Sequence, residues 1–101
     1  MLIIDSHTHL MTLDTERYPL ADPCSSYQPA FEGSAEALHE QMQVAGVSRA
    51  LAISTVFYGW DNGYALDRQV GNKSWLAAAA LVDPASVYSS QKLDALVKQC
   101  V

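Results

Sequence analysis

Two histidines near the start of the chain are the residues whose type and spacing best suit chemistry. His7 and His9 follow an apolar run at positions 2–4 and are separated by one residue. Strand side chains alternate between faces, so both imidazoles are expected on the same side if the strand persists. Such a pair suits a divalent metal such as zinc. It also suits a polar strand end that only hydrogen-bonds to backbone or water, and the spacing alone leaves both interpretations open.

A repeat of strands and helices is predicted to position this pair. After the first strand, the apolar runs 50–56 and 75–82 have strand length and no alternation, which is typical of parallel strands covered on both faces. Four successive alanines in the second run favour a helix by propensity, but the alternating order of elements favours a strand. Strand, helix and strand in succession predict a βαβ unit with a parallel sheet.

The clearest helix is predicted between the first two strands. It covers 35–45, where apolar residues recur at helical spacing, with Ser34 as N-cap and Gly46 just after its end. His39 lies away from the apolar stripe of this helix. We therefore predict that His39 is solvated and is not a ligand.

Two further helices complete the predicted repeat. One covers roughly 62–69 and stops at Gly71. The last begins after a cap at Ser89 or Ser90. Its predicted apolar face consists of Leu93, Leu96, Val97 and Cys100.

The segment from Met11 to Gly33 has no clear periodicity and contains three prolines. It is longer than most connections in compact domains, and long loops are often functional lids. Tyr18 and Tyr27 accompany prolines in this loop. Each tyrosine either packs the loop onto the body or presents its hydroxyl to a substrate carboxylate or carbonyl.

A second polar group follows the second strand, in the position that the histidines occupy after the first. Asp61 and Asn62 lie there between Gly59 and Gly63, among three aromatic residues. One of the two is expected to cap the next helix. The other is then available to face a ligand.

The composition indicates one small globular domain, with half of its 101 residues hydrophobic. A net charge of −5 without a basic cluster argues against nucleic acid or an anionic membrane as a partner. Cys24 and Cys100 are far apart, so we expect two free thiols in a reducing compartment. No basic leader or membrane-length apolar run is present, and a cytoplasmic location is expected.

Several blocks, taken in order, resemble the amidohydrolase-related ("amidohydrolase 2") family of the amidohydrolase superfamily. They are Ile4-Asp5-Ser6-His7-Thr8-His9, Tyr18-Pro19, Tyr27 with Pro29, Ala45-Gly46-Val47-Ser48-Arg49-Ala50, Tyr58-Gly59-Trp60-Asp61-Asn62 and Leu81-Val82-Asp83-Pro84. Within the family the chain is most similar to the pyrone-dicarboxylate lactonase group. The resemblance implies an α/β fold, namely the first three βα units of a (β/α)8 TIM barrel, with 1–101 as the amino-terminal part of that domain.

The resemblance also implies an activity, the hydrolysis of a lactone or related carboxylic ester carried by a small-molecule substrate. His7 and His9 would be catalytic residues, as ligands of a divalent metal (zinc, or manganese) or as metal-independent groups that polarise the substrate carbonyl. Asp5 matches the family aspartate and would support them without binding the metal. Tyr27, Asp61 and Asn62 would bind the substrate.

Two other functions are left open by the sequence. A metal-dependent decarboxylase of the same family would use the same two histidines. A non-catalytic α/β module would use them structurally. The superfamily's water-activating aspartate at strand 8 and the histidines after strands 5 and 6 have no counterpart in the sequence, so the isolated 101-residue chain is predicted to be inactive. Its open sheet edges would favour self-association.

Overall fold

The computed structural model describes residues 1–99 and shows strands and helices in alternation. The elements are β1 (Ile4–Thr8), α1 (Ala35–Ala45), β2 (Arg49–Ile53), α2 (Gly63–Val70), β3 (Leu76–Ala79) and α3 (Ser89–Lys98). A short 3₁₀ turn, Val56–Tyr58, follows β2. This order of elements confirms the predicted βα repeat.

The three strands form one parallel sheet in the order β1-β2-β3. The pairing of β2 with β3 is regular, from Ala50 opposite Leu76 to Ile53 opposite Ala79. Within residues 1–99, β1 and β3 each pair on one side alone, so the sheet is open. The α/β class with parallel strands is therefore observed, whereas a closed barrel is not formed by the described residues.

The second and third strands end earlier than the apolar runs that predicted them. After β2, the Thr55 hydroxyl accepts the Phe57 N–H at 3.1 Å, which turns the chain into the 3₁₀ turn. After β3, both backbone groups of Leu81 hydrogen-bond to the side chain of Asn62. A local side-chain bond after β2 and long-range side-chain bonds after β3 thus accompany the two strand ends.

The core lies on one face of the sheet, where alternate residues of β2 and β3 are buried. Ala50 and Ala52 of β2 and Leu76 and Ala78 of β3 point into it. Other buried apolar side chains come from α1, α2 and the loops, namely Leu10, Ala35, Met42, Tyr58, Tyr64 and Trp75. Regular pairing with β2 makes the alanine run a strand against its helix propensity.

Helix α1 forms as predicted, but its histidine is not solvated. The Ser34 hydroxyl accepts the Ala37 N–H at 3.1 Å, and Gly46 ends the helix with a φ of 77°. The prediction for His39 was wrong: its ring is half-buried and stacks on Trp75, with ring centroids 4.3 Å apart and planes within 3°. The residue directly before β3 supplies this indole, which a helical projection of α1 alone does not show.

Helix α3 differs from its prediction in its cap and in the burial of its apolar face. Tyr88 occupies the N-cap position without a side-chain hydrogen bond, so neither Ser89 nor Ser90 caps the helix. No residue of α3 is buried, and Leu93 and Val97 of its predicted apolar face are exposed. The predicted fourth member of that face, Cys100, lies outside the described residues. None of the helices within residues 1–99 is long and apolar enough to cross a membrane.

Candidate active site

The histidines lie at the carboxyl end of β1, next to an irregularity in the sheet. Asp5 pairs with Ala50 and Thr8 with Ala52, so β1 contains one more residue than β2 over the same length. The Thr8 hydroxyl donates to the Leu51 carbonyl at 3.1 Å and closes this bulge. Bulges bend a strand and re-aim its side chains, and they occur often beside active sites.

The two imidazoles lie side by side next to this bulge. The ring centroids of His7 and His9 are 5.0 Å apart, and the planes are nearly perpendicular at 89°. Nδ1 of His9 lies 2.8 Å from the carbonyl oxygen of Ile53. Because a carbonyl can only accept a hydrogen bond, the proton of neutral His9 is on Nδ1. Nε2 therefore keeps its lone pair, and both rings are exposed.

The geometry of the pair fits two of the ligands of a divalent metal. Two ring nitrogens at about 2.0–2.1 Å from zinc, at a tetrahedral angle, place their ring centroids about 5 Å apart. A backbone carbonyl on the other nitrogen is the usual way to orient a metal-binding histidine. Residues 1–99 hold no group of three or more His, Cys, Asp or Glu side chains that could bind a metal. They would thus provide two ligands of such a site.

Asp5 contacts the backbone of the bulge. Its carboxylate accepts the backbone N–H of His7 at 3.1 Å, and the side chain is half-buried. This bond fixes the chain direction at His7 and leaves the imidazole rings free. A catalytic role for Asp5 stays a prediction, and the geometry favours a supporting one.

The long loop after β1, which we call the strap (residues 11–33), is closed at its base by hydrogen bonds. Met11 and Gly33 exchange two backbone bonds of 3.1 and 2.9 Å. One carboxylate oxygen of Glu32 accepts from the Thr12 hydroxyl at 3.0 Å and from the Leu13 N–H at 2.6 Å. The strap is therefore a loop with fixed ends, although it contains no helix or strand.

Two buried tyrosines attach the strap base to the core. The Tyr58 hydroxyl accepts the Thr12 N–H at 3.0 Å, and the Tyr64 hydroxyl donates to the Met11 carbonyl at 3.3 Å. Burial raises the pKa of Tyr58. Burial, followed by the charge of Glu32, raises the pKa of Tyr64 to about 12. The raised pKa values extend to higher pH the range in which both phenols stay neutral and keep these bonds.

The two strap tyrosines have different surroundings. Tyr18 packs on the body: its ring meets Tyr64 edge-on at 4.8 Å, and its hydroxyl donates to Asp67, a bond that raises the pKa of Tyr18. Tyr27 is 68% exposed, with its ring 5.2 Å from that of Phe57. It lines an open cleft of about 430 Å³ together with His9. The strap thus brings a predicted substrate-binding residue to the histidine side of the sheet.

Asn62 connects the ends of β2 and β3 through a side-chain amide that makes four hydrogen bonds. Its Oδ1 accepts from the Ser54 hydroxyl and the Leu81 N–H, each at 2.8 Å. Its Nδ2 donates to the carbonyls of Leu81 at 2.9 Å and Trp60 at 3.3 Å. With two donor and two acceptor positions occupied, the buried amide positions the strand ends. Substrate binding by Asn62 stays a prediction and would require one of these bonds to open.

Asp61 is exposed and accepts the N–H of Gly63, the first residue of α2, at 2.8 Å. Asp61 and Asn62 line a different cleft of about 340 Å³ between α2 and α3. The structure therefore divides the predicted residues between two clefts, with the bond from Ser54 to Asn62 between them. Substrate binding by Asp61 stays a prediction.

Several lining residues of the histidine cleft were missed by the sequence reasoning. They are Met11, Gln28, Ala30 and Phe31 of the strap, and Ser54, Thr55, Val56 and Phe57 after β2. The β2 residues had a usable signal, since they follow directly on the carboxyl end of a parallel strand. The strap residues had none, because the path of an irregular loop is set by distant hydrogen bonds.

Comparison with solved structures identifies relatives of this fold. The chain is similar to a probable 2-pyrone-4,6-dicarboxylic acid hydrolase of Acinetobacter baumannii with citric acid bound, with a TM-score of 0.80, 18% identity, and coverage of 98% of this chain and 35% of that one. It is also similar to a protein of Agrobacterium tumefaciens solved in its apo form, with a TM-score of 0.69 and 21% identity over 92% of this chain and 33% of that one.

The chain therefore spans about a third of the length of each of these two structures. No protein-family model and no curated protein sequence matches it. At these identities the likeness shows the fold alone: an α/β arrangement shared with part of each of these two structures.

Proposed function

We propose that this chain forms the amino-terminal part of an amidohydrolase-type hydrolytic site, which acts on a lactone or related carboxylic ester. The observation that carries the proposal is the converging pair of His7 and His9 at the end of β1, with Nε2 of His9 left free by the Ile53 carbonyl. The fold shared with a probable pyrone-dicarboxylic acid hydrolase, solved with citric acid bound, supports a small carboxylate or lactone as substrate.

The chemistry of ester hydrolysis fits these side chains. His7 and His9 would hold a divalent metal, zinc or manganese, which when bound supplies a Lewis acid for the carbonyl and a more acidic water. In a metal-independent site, protonated His9 would donate from Nε2 to the carbonyl oxygen as negative charge develops on it. In both cases the Ile53 carbonyl holds the ring in place.

In this proposal the other predicted residues either hold the backbone of the site or contact the substrate. Asp5 fixes the backbone at His7, and Tyr27 contacts the substrate from the strap. Asn62 holds the carboxyl ends of β2 and β3 in register, while Asp61 caps α2 and is the more available of the two for a ligand. Because His7 and His9 would be two of the required ligands, and residues 1–99 hold no group of three or more His, Cys, Asp or Glu side chains that could bind a metal, we expect no turnover by the 101-residue chain alone.

Zinc titration of the 101-residue chain tests the metal form of the proposal. We expect His7→Ala and His9→Ala each to weaken zinc binding at least about tenfold, since each removes one of two ligands. The matched control is His39→Ala, because this histidine stacks on Trp75 away from the pair. Equal zinc affinity in all three variants would contradict the metal form.

Turnover assays separate the related activities. A panel of lactones and carboxylic esters is offered to the chain with zinc or manganese, and both acid production and carbon dioxide release are measured. Substrate-dependent carbon dioxide release lost in His9→Ala would assign a decarboxylase. Lactone turnover lost in the same variant would support the hydrolase and would overturn our expectation that the chain alone is inactive.

The uncovered parts of the sheet support self-association as a second proposal. β1 and β3 have open edges within residues 1–99, and Leu2, Ile3 and Ile4 are exposed near the β1 edge. Open parallel strands with apolar neighbours pair readily with other chains. Sedimentation equilibrium should show association that Ile4→Lys weakens; a strict monomer at high concentration would contradict it.

A further inference from the structure

We propose that Ser54, anchored by Asn62, is a positioning residue for His9 and acts through the Ile53 carbonyl that this imidazole binds. The inference rests on the proposed function and adds the residues that hold His9 in its working orientation. Ser54 directly follows β2, and it makes hydrogen bonds both to the end of β3 and to the buried amide of Asn62.

Side chains at the carboxyl end of β1 bind carbonyl groups of β2. The Thr8 hydroxyl donates to the Leu51 carbonyl at 3.1 Å, and Nδ1 of His9 donates to the Ile53 carbonyl at 2.8 Å. Leu51 and Ile53 are alternate residues of β2, so their carbonyls point toward the same neighbouring strand. The orientation of the His9 ring therefore depends on the direction of one carbonyl, that of the last residue of β2.

The direction of the Ile53 carbonyl is set by the peptide group that it shares with Ser54. In a planar trans peptide the N–H and the C=O point in opposite directions. The Ser54 N–H donates to the Ala79 carbonyl of β3 at 3.1 Å, so the carbonyl of the same peptide points toward β1 and His9. The bond to β3 also polarises the peptide group, which makes its carbonyl a stronger acceptor.

The Ser54 hydroxyl restrains this peptide group further. It donates to Oδ1 of Asn62 at 2.8 Å, and Asn62 is 7% exposed. The Asn62 amide is in turn held by the N–H and the carbonyl of Leu81, at 2.8 and 2.9 Å. Because Ser54 directly follows the Ile53 carbonyl, a bond that holds Ser54 against a buried amide also limits the movement of that carbonyl.

A fixed carbonyl matters for the nitrogen of His9 that faces the site. The hydrogen bond made at Nδ1 decides that the neutral ring keeps its lone pair on Nε2. Loss of a group that orients a metal-binding histidine typically lowers the metal affinity about 10–100-fold. The Ser54 hydroxyl acts one bond further from the ring, so we expect its loss to weaken zinc binding about three- to tenfold.

The experiment removes this hydroxyl in the 101-residue chain by Ser54→Ala. Long-range ¹H–¹⁵N correlation spectra, recorded where the imidazole is neutral, report which nitrogen of His9 carries the proton, and a titration gives the zinc affinity. We expect part of the His9 population to move its proton to Nε2, together with the weaker zinc binding. Ser34→Ala is the matched control, because it also removes a serine hydroxyl with one hydrogen bond, and it should change neither quantity.

A second pair of variants decides the question if Ser54→Ala does not fold. Ser54→Thr and Ser54→Val introduce side chains of nearly equal shape that differ in the hydroxyl. We expect the proton of His9 to stay on Nδ1 in Ser54→Thr and to move in part to Nε2 in Ser54→Val. An unchanged His9 tautomer in the variants that lack the hydroxyl, or an equal change in Ser34→Ala, would overturn the inference. A hydroxyl with a purely structural role would change the free energy of unfolding and leave the tautomer as it is.

The two measurements also separate this inference from the proposed function. Zinc binding that does not depend on His7 and His9 would reject the metal form of the proposed function, and the tautomer of His9 would still test the role of Ser54. Zinc binding that depends on both histidines, with a tautomer that does not respond to the loss of the Ser54 hydroxyl, would reject the positioning role alone.

Discussion

The irregular strap is held by long-range hydrogen bonds, whereas the regular helix α3 has no buried residue. The strap has no helix or strand, yet its base is tied by the Met11–Gly33 backbone pair, the carboxylate of Glu32 and the hydroxyls of Tyr58 and Tyr64. Helix α3 is regular over Ser89–Lys98 but has no buried residue and no side-chain cap. The comparison teaches that long-range hydrogen bonds and burial, more than regular backbone, position the histidine side of the molecule.

Asn62 should show the largest effect on stability, because its buried amide holds the carboxyl ends of β2 and β3 together by long-range hydrogen bonds. Asn62→Ala removes four hydrogen bonds and leaves both backbone groups of Leu81 without their partner. We expect a loss of about 3–4 kcal/mol in the free energy of unfolding, measured by urea denaturation. The neighbouring control Asp61→Ala removes one exposed cap and should cost about 1 kcal/mol. Similar losses in both variants would show that burial of the amide does not matter.

Alkaline pH should loosen the strap base next. The pKa of Tyr64 is raised from 10.0 to about 12, so the folded state holds the phenol proton more tightly than the unfolded chain does. The resulting stability is fully present below pH 10 and is lost as the pH rises to about 12. The expected loss is about 2–3 kcal/mol. The free energy of unfolding should depend less on pH across this range in Tyr64→Phe than in the unsubstituted chain. The same pH dependence in both would refute the raised pKa of Tyr64 as its cause.

Tyr58→Phe should also lower the free energy of unfolding, by less than the ionisation of Tyr64 does. The variant removes the acceptor for the buried N–H of Thr12 and keeps the ring. We expect about 1–2 kcal/mol of destabilisation and faster hydrogen exchange confined to the strap base. Tyr88→Phe is the control, since that tyrosine is exposed. Exchange that accelerates equally in α1 would indicate general unfolding instead.

A substitution in helix α3 should change the free energy of unfolding least. Leu93 is 50% exposed, so Leu93→Ala forfeits little burial and should cost less than about 1 kcal/mol. Urea denaturation compared with Met42→Ala, a buried residue of α1, gives the contrast. A cost for Leu93→Ala as large as that for Met42→Ala would mean that α3 is buried by an association in solution.

The predictable part of the fold came from local patterns. Periodicity and caps such as Ser34 and Gly46 predicted α1, and the order of elements predicted the alanine strand β3. The end of β2 has a local signal in Thr55, whose hydroxyl accepts the N–H of Phe57. The shortened end of β3 was not predictable, because it depends on Asn62, which lies 19 residues from its partner Leu81. The stack of His39 on Trp75 likewise joins residues far apart in the sequence.

For the candidate site, the sequence predicted the histidine pair better than its surroundings. Alternation along a strand placed His7 and His9 on one side, and the bulge keeps them there. The division of Tyr27 and Asp61 between two clefts was beyond sequence reasoning. It follows from the path of the strap and from the packing of α2 and α3, neither of which has a local signal.

The tautomer of His9 tests the central claim most directly. Long-range ¹H–¹⁵N correlation spectra of the 101-residue chain, recorded at a pH where the imidazole is neutral, distinguish its two nitrogens. The Ile53 carbonyl predicts a proton on Nδ1 and a bare Nε2, which zinc should then perturb while the Nδ1 proton remains. A proton on Nε2 in the neutral ring, or zinc bound at Nδ1, would contradict an imidazole pair prepared for catalysis.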